Sequence, residues 1–281
     1  MGPIRQTDTV SLVYPVRRSK SLGYEVADGS VDVMSESAFF EEINSFVGSA
    51  AAVNQEFVFV PGFATPFAAS LLRIAQLTND IKLRGVPLVF SWPSGNLYPT
   101  DKENAIWSAK HLKQSLQDIK QQTNPERIHL VAHSMGSFVV ANAMDGLSLG
   151  RGVIENVVLA APDVNEAMFS RFAEVAKITA KRITIYASQK DGALLASDII
   201  QGDRVGSRVV PRLGVDVIDA GEVDRPMSFW GLLGHSYVFD SDKVMLDLAA
   251  LINNSEPADR RAGTVPAGSP GCWRLERRQP S

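Results

Sequence analysis

One ten-residue run, Arg127-Ile-His-Leu-Val-Ala-His-Ser-Met-Gly136, constrains the fold of this chain more than any other. A short apolar stretch (Ile128, Leu130, Val131) enters a turn of small residues with a single serine, Ser134, at its tip. A second apolar segment, Phe138 to Met144, follows at helical spacing. This is the strand–turn–helix context of the G-x-S-x-G elbow, with Ala132 and Gly136 at its two glycine positions. The turn strains the serine backbone and brings the helix hard against the sheet, so the flanking residues must be small. It lifts the Ser134 hydroxyl above the strand ends. It also sets the Met135 N–H at a helix start, where it can donate to a developing oxyanion.

The rest of the chain supplies the layers such an elbow needs. Short, nearly continuous apolar runs at Phe57–Val60, Leu88–Ser91, Ile128–Ala132, Asn156–Ala160, Arg182–Tyr186 and Val215–Ile218 read as strands covered on both faces. Helices are expected between them, over Pro66–Leu83, Asp101–Gln121, Ser137–Leu147, Asn165–Ala176 and Gly192–Ile200, with a last one over Ser241–Ile252. Strand–helix alternation predicts an α/β fold, a mostly parallel central sheet with helices on both faces. In the second of these helices Ile106, Leu112, Leu116 and Ile119 form an apolar stripe expected in the core. Residues 1–50 are less regular. They are expected to add two outer strands (Val10–Tyr14, Tyr24–Met34) and a helix over Ala38–Val47 with Phe39, Phe40, Ile43 and Phe46 on one face. The main domain is placed at residues 51–252, and the tail at 253–281, poor in large aliphatics, is expected to be disordered.

A serine hydroxyl needs a general base beside it. Where such an elbow heads a triad on an α/β sheet, the partners follow in the order Ser, Asp or Glu, His. The chain has four histidines. His111 falls in a helix, His129 inside the strand before Ser134, and His133 next to the serine with its side chain expected to point away. Only His235, in the Gly-flanked loop Gly231-Leu-Leu-Gly-His-Ser-Tyr237, follows the serine. The acid that orients it is expected at Asp191, past the second-to-last strand. Asp163, one strand earlier, is the alternative, its other role being to shape the pocket or cap the next helix. Asp219 and Asp224 rank third. A second oxyanion donor is expected from the loop Val60-Pro61-Gly62-Phe63-Ala64, at the Phe63 N–H. Trp92 and Tyr98, from the loop after the next strand, are candidates for the pocket wall.

Composition excludes several classes. A formal net charge of -3 gives no argument for nucleic acid or an anionic surface. Cys272 is the single cysteine, so no intramolecular disulfide forms. His129 and His133, four apart in a strand, stand about 13 Å from each other, too far to share a metal. No phosphate-binding glycine motif occurs, so no cofactor and no metal are expected. No apolar run reaches transmembrane length, and no secretory leader or lipidation signal is visible at the N-terminus. The location expected from this is cytoplasmic.

Taken together, Phe59-Val-Pro-Gly-Phe-Ala64, Phe90-Ser-Trp-Pro-Ser94, Ala132-His-Ser-Met-Gly-Ser137, Ala160-Ala-Pro-Asp-Val164, Tyr186-Ala-Ser-Gln-Lys-Asp191 and Gly234-His-Ser-Tyr237 resemble a family of uncharacterised bacterial α/β-hydrolases. The family carries F-V-H-G-Y-N, F-S-W-P-S, A-H-S-M-G-N and G-H-S-Y in that order, and the resemblance covers about residues 56–252. It implies an α/β-hydrolase fold, a nucleophile at Ser134 with Asp191 and His235 as partners, and oxyanion donors at Met135 and Phe63. It supplies no substrate. Pro61 departs from the family's histidine, and Ala64 and Ser137 each from an asparagine.

The expected function is a cofactor-independent serine hydrolase, esterase-like, acting on small-molecule carboxylic esters or thioesters through an acyl-enzyme. Two alternatives share the fold: a catalytically silent binding protein, and an acyltransferase using an acceptor other than water. The spacings from Asp163 to Asp191 and from Asp219 to His235 leave no room for a large lid domain.

Overall fold

In a computed structural model the described residues are 9–13, 17–19, 23–25, 31–48, 53–95, 97–188, 204–221 and 241–276. The central sheet is built from β5 (Gln55–Val60), β6 (Val86–Val89), β7 (Arg127–His133), β8 (Ile154–Ala160), β9 (Ala180–Ala187), β10 (Asp216–Asp219), β11 (Thr264–Pro266) and β12 (Cys272–Leu275). Their order across the sheet is β11-β12-β10-β9-β8-β7-β5-β6. Every pairing is parallel except β11 with β12.

Helices cover both faces, which is why the inner strands read as unbroken apolar runs rather than alternating ones. On one face Val58, Val60, Leu130 and Ala132 meet α1 (Glu36–Gly48), α3 (Tyr98–Gln122), α4 (Gly136–Met144) and α5 (Glu166–Thr179). On the other, Phe57, Phe59, Val131 and Tyr186 meet α2 (Phe67–Asp80) and α6 (Asp242–Asn254). The stripe of α3 buries Leu112, Leu116 and Ile119, with Ala105 and Ala109 completing it. Ile106, expected in that stripe, is 54% exposed, and Phe46 of α1 is 49% exposed while Phe39, Phe40 and Ile43 are buried. In both cases the helix turns the outermost member of the apolar set past the edge of its contact surface.

The N-terminal region forms two small antiparallel sheets outside the main one. β1 (Thr9–Val13) pairs with β4 (Val31–Ser35), and β2 (Arg17–Ser19) pairs with β3 (Gly23–Glu25). The single strand expected over Tyr24–Met34 is therefore two.

The tail differs from expectation. Instead of lacking structure beyond Asn253, the chain returns to the sheet. β12 pairs with β10, and β11 closes the edge as a hairpin. A buried charge network makes this return worthwhile. Asp247 of α6 is 1% exposed and accepts from Arg261 Nη1 at 2.9 Å, Thr264 Oγ1 at 2.7 Å and Tyr186 Oη at 2.6 Å. One carboxylate thus ties the tail, the last helix and the middle of the sheet together. Tyr186, Asp247 and the Arg261/Thr264 pair come from three separate stretches of the chain, so composition could not disclose the arrangement.

Chain direction places the site. β6 lies on one side of β5, and the next strand, β7, returns to the other side. Ligands of open parallel sheets bind where the strand order reverses, beyond the carboxyl ends. Here that crevice lies between the loop after β5 and the turn after β7.

Candidate active site

Ser134 follows β7 at φ +50°. For a residue with a Cβ this left-handed conformation costs about 1–3 kcal/mol and survives only where surroundings hold it. The holding contacts are backbone bonds. The Ser134 N–H donates to Ala160 O of β8 at 2.9 Å, and Ser134 O accepts from the N–H of Ser137 at 2.9 Å and of Asp163 at 3.3 Å. The elbow is therefore pinned to the end of the neighbouring strand and to the first turn of α4.

Two glycines let the segments approach. A Cβ at Gly136 would stand 2.4 Å from Val60 O and 2.5 Å from Pro61 O, so α4 starts directly against the end of β5. A Cβ at Gly62 would stand 2.9 Å from Ser134 Cβ and 3.1 Å from His133 Nδ1. The loop after β5 thus lies against the serine. Ala64 in that loop also has a left-handed backbone, φ +51°. Among the described residues, neither the Met135 N–H nor the Phe63 N–H donates a hydrogen bond within the protein.

Asp163 stands beside the elbow, 4% exposed. Its Oδ1 is 3.0 Å from Nε of Arg204, itself 2% exposed, and its Oδ2 accepts from Tyr98 Oη at 2.6 Å. The cap of α5 is not Asp163 but Asn165, whose side chain accepts from the Met168 N–H at 2.9 Å. Arg204 escaped sequence reasoning because nothing local marks it. It reaches Asp163 because Val205 and Gly206 donate their N–H groups to Val164 and Pro162. Tyr98, whose hydroxyl meets Asp163, has its ring centroid 5.8 Å from that of Phe63. Trp92, expected in the pocket wall, is instead buried at 3% exposure, with its indole N–H on Pro61 O at 2.8 Å. Asp219 accepts from the Gly221 N–H at 2.8 Å. Asp191, His235 and Asp224 lie outside the described residues.

The other histidine of the elbow strand has a different use. His129 is fully buried and its Nδ1 is 3.0 Å from Asn156 Nδ2. Burial drives its pKa down to about 4, partly offset by Glu155 and reinforced by Arg127. It is a neutral core residue at physiological pH. Among the described residues no group of His, Cys, Asp or Glu could hold a metal, and no helix is long and apolar enough to cross a membrane.

A mostly parallel sheet with helices on both faces and a strained serine at the strand–helix turn beside the reversal define an α/β hydrolase. The chain belongs to the family described as alpha/beta hydrolase of unknown function (DUF900), whose model matches residues 35–254. Among curated proteins, none matches the chain. Among solved structures it is similar to Aspergillus fumigatus lipase B, with 13% identity and a TM-score of 0.48 over 92% of this chain and 64% of that one. The chain thus spans less than two thirds of that lipase. It is also similar to a predicted CIB-like hydrolase from Thermoplasma acidophilum (12% identity, TM-score 0.42, 74% of this chain and 89% of that one). A third similar structure is Trichoderma reesei cutinase in complex with a phosphonate inhibitor (12% identity, TM-score 0.36, 78% and 85%).

Proposed function

We propose that the protein is a cofactor-independent serine hydrolase that cleaves small-molecule carboxylic esters or thioesters through an acyl-enzyme. The observation that carries this reading is the Ser134 backbone, held at φ +50° between the carboxyl ends of β7 and β8, with Gly62 against its Cβ. Strain of this kind persists where function requires it.

In this reading Ser134 Oγ attacks the carbonyl carbon while His235 takes its proton. The N–H groups of Met135 and Phe63 hold the oxyanion. The tetrahedral intermediate collapses, the C–O or C–S bond breaks, and His235 returns the proton to the leaving alcohol or thiol. Water, deprotonated by His235, then releases the acid and frees the serine. Asp191 holds His235 in the right tautomer. The Arg204 and Tyr98 contacts support giving Asp163 the role of shaping the site, with Asp191 as the acid.

Labelling by a fluorophosphonate probe tests this. Wild type should label, Ser134→Ala should not, and His235→Ala should label far more slowly. A folded wild type that resists the probe and turns over no activated ester would refute the reading and favour a binding protein.

A further inference from the structure

The segment after β6 touches the loop after β5 rather than the space over the serine. Trp92 donates its indole N–H to Pro61 O at 2.8 Å. Ser94 Oγ lies 3.4 Å from Gly62 O and accepts from the Thr65 N–H at 3.4 Å. Asp101, in the first turn of α3 and 1% exposed, receives the Gly95 N–H at 2.9 and 2.8 Å on its two oxygens and stands 3.3 Å from Ser94 Oγ. The Ser94 hydroxyl thus lies within reach of both the Gly62 carbonyl and the Asp101 carboxylate. Asn104 adds a bond to Pro93 O at 2.9 Å.

The geometry of the peptide unit gives these contacts a consequence. A trans peptide is planar, and its C=O and N–H point in opposite directions. Pro61 C=O shares its plane with the Gly62 N–H, and Gly62 C=O shares its plane with the Phe63 N–H. A donor that captures Pro61 O therefore turns the Gly62 N–H away from Trp92. A donor that captures Gly62 O turns the Phe63 N–H away from Ser94. Gly62 cannot hold itself, because glycine is free over most of backbone space and a Cβ there would strike Ser134. Its orientation has to be imposed from outside.

We infer that Trp92 and Ser94, the latter held by Asp101, are positioning residues that fix the Pro61–Gly62 and Gly62–Phe63 peptide planes and so aim the Phe63 N–H at the substrate carbonyl oxygen. The inference rests on the serine-hydrolase reading above. It gives the F-S-W-P-S segment the work of a brace behind the oxyanion loop. It also accounts for a buried tryptophan beside a proline, where a pocket wall was expected.

The test compares kcat on p-nitrophenyl acetate with kcat on the matching thionoester, in which sulfur replaces the carbonyl oxygen. Sulfur accepts hydrogen bonds more weakly, so well-aimed donors favour the oxoester. Loss of folded enzyme lowers both rates alike and leaves their ratio unchanged. Trp92→Phe, which keeps an aromatic side chain but deletes the N–H, should lower the oxoester-to-thionoester ratio by about tenfold or more, since a whole donor is worth about 10²–10³. Ser94→Ala should lower it in the same direction, with KM little changed, and Ser94→Thr should restore it. An unchanged ratio in both Trp92→Phe and Ser94→Ala overturns the inference, whatever activity they lose, provided wild type turns over and Ser134→Ala does not. A wild type without turnover or labelling removes the serine-hydrolase reading and this inference with it.

Discussion

Glu56 of β5 is fully buried, with Oε1 accepting from Thr123 Oγ1 at 2.6 Å and Oε2 lacking a partner among the described residues. Burial pushes its pKa up to about 7, against the opposing pull of Thr123 and Lys120. The folded state therefore binds this proton more tightly than the unfolded chain does. Below the ordinary value of 4.5 both states carry the proton and Glu56 makes no charge-dependent contribution. As pH rises from there to about 7, the unfolded chain releases the proton first, and folding must oppose that release. Stability falls across this window and levels off above it. At about 1.4 kcal/mol for each pH unit, the fall is roughly 3 kcal/mol. Glu56→Gln removes it, because the carboxamide oxygen can keep the Thr123 bond and no charge is ever buried. An amide N–H in place of Oε2 adds a cost, but one independent of pH. Urea unfolding of both proteins from pH 4.5 to 8.5 should give a stability difference that moves toward the variant by about 3 kcal/mol. A difference constant to within about 0.5 kcal/mol over that range would refute the reasoning, since it would mean that Glu56 titrates alike in both states.

Arg261→Ala should destabilise the protein by about 3–5 kcal/mol, because it leaves the Asp247 carboxylate buried without its cation; chemical unfolding measures this, and a loss below about 1 kcal/mol would show that the tail does not secure α6. Phe63→Pro deletes the proposed second oxyanion donor and should lower kcat on an activated ester by about 10²–10³, while an unchanged rate in a folded protein would remove Phe63 from the mechanism. Rates across a series of p-nitrophenyl esters should not rise steeply from acetyl to long acyl chains, and a steep rise would argue for a deep lipid tunnel in place of an open site.

The elbow was legible because everything that makes it is local. Strand torsions, small residues around one serine and an apolar helix repeat fall within eighteen residues, from Arg127 to Met144. The same holds for the alternation of buried strands and helices, which needs only periodicity to be read. What escaped is what depends on residues far apart in the chain. Cys272–Leu275 is too short to read as a strand until β10 offers it an edge, and Arg261 looks like surface charge until Asp247 meets it. Arg204 carries no local mark, yet it pairs with Asp163 once residues 204–206 lie along 162–165.

The sequence by itself determined the class of fold, the nucleophile candidate and the loop that faces it, because local torsional preference and hydrophobic periodicity encode those. Only the tertiary structure decided that Trp92 braces the Pro61 carbonyl, that Asp163 is claimed by Arg204 and Tyr98, and that the tail completes the sheet. Each of those is a hydrogen bond or ion pair between groups far apart in the chain. Its strength and its very existence depend on which distant groups the sheet topology brings within 3 Å.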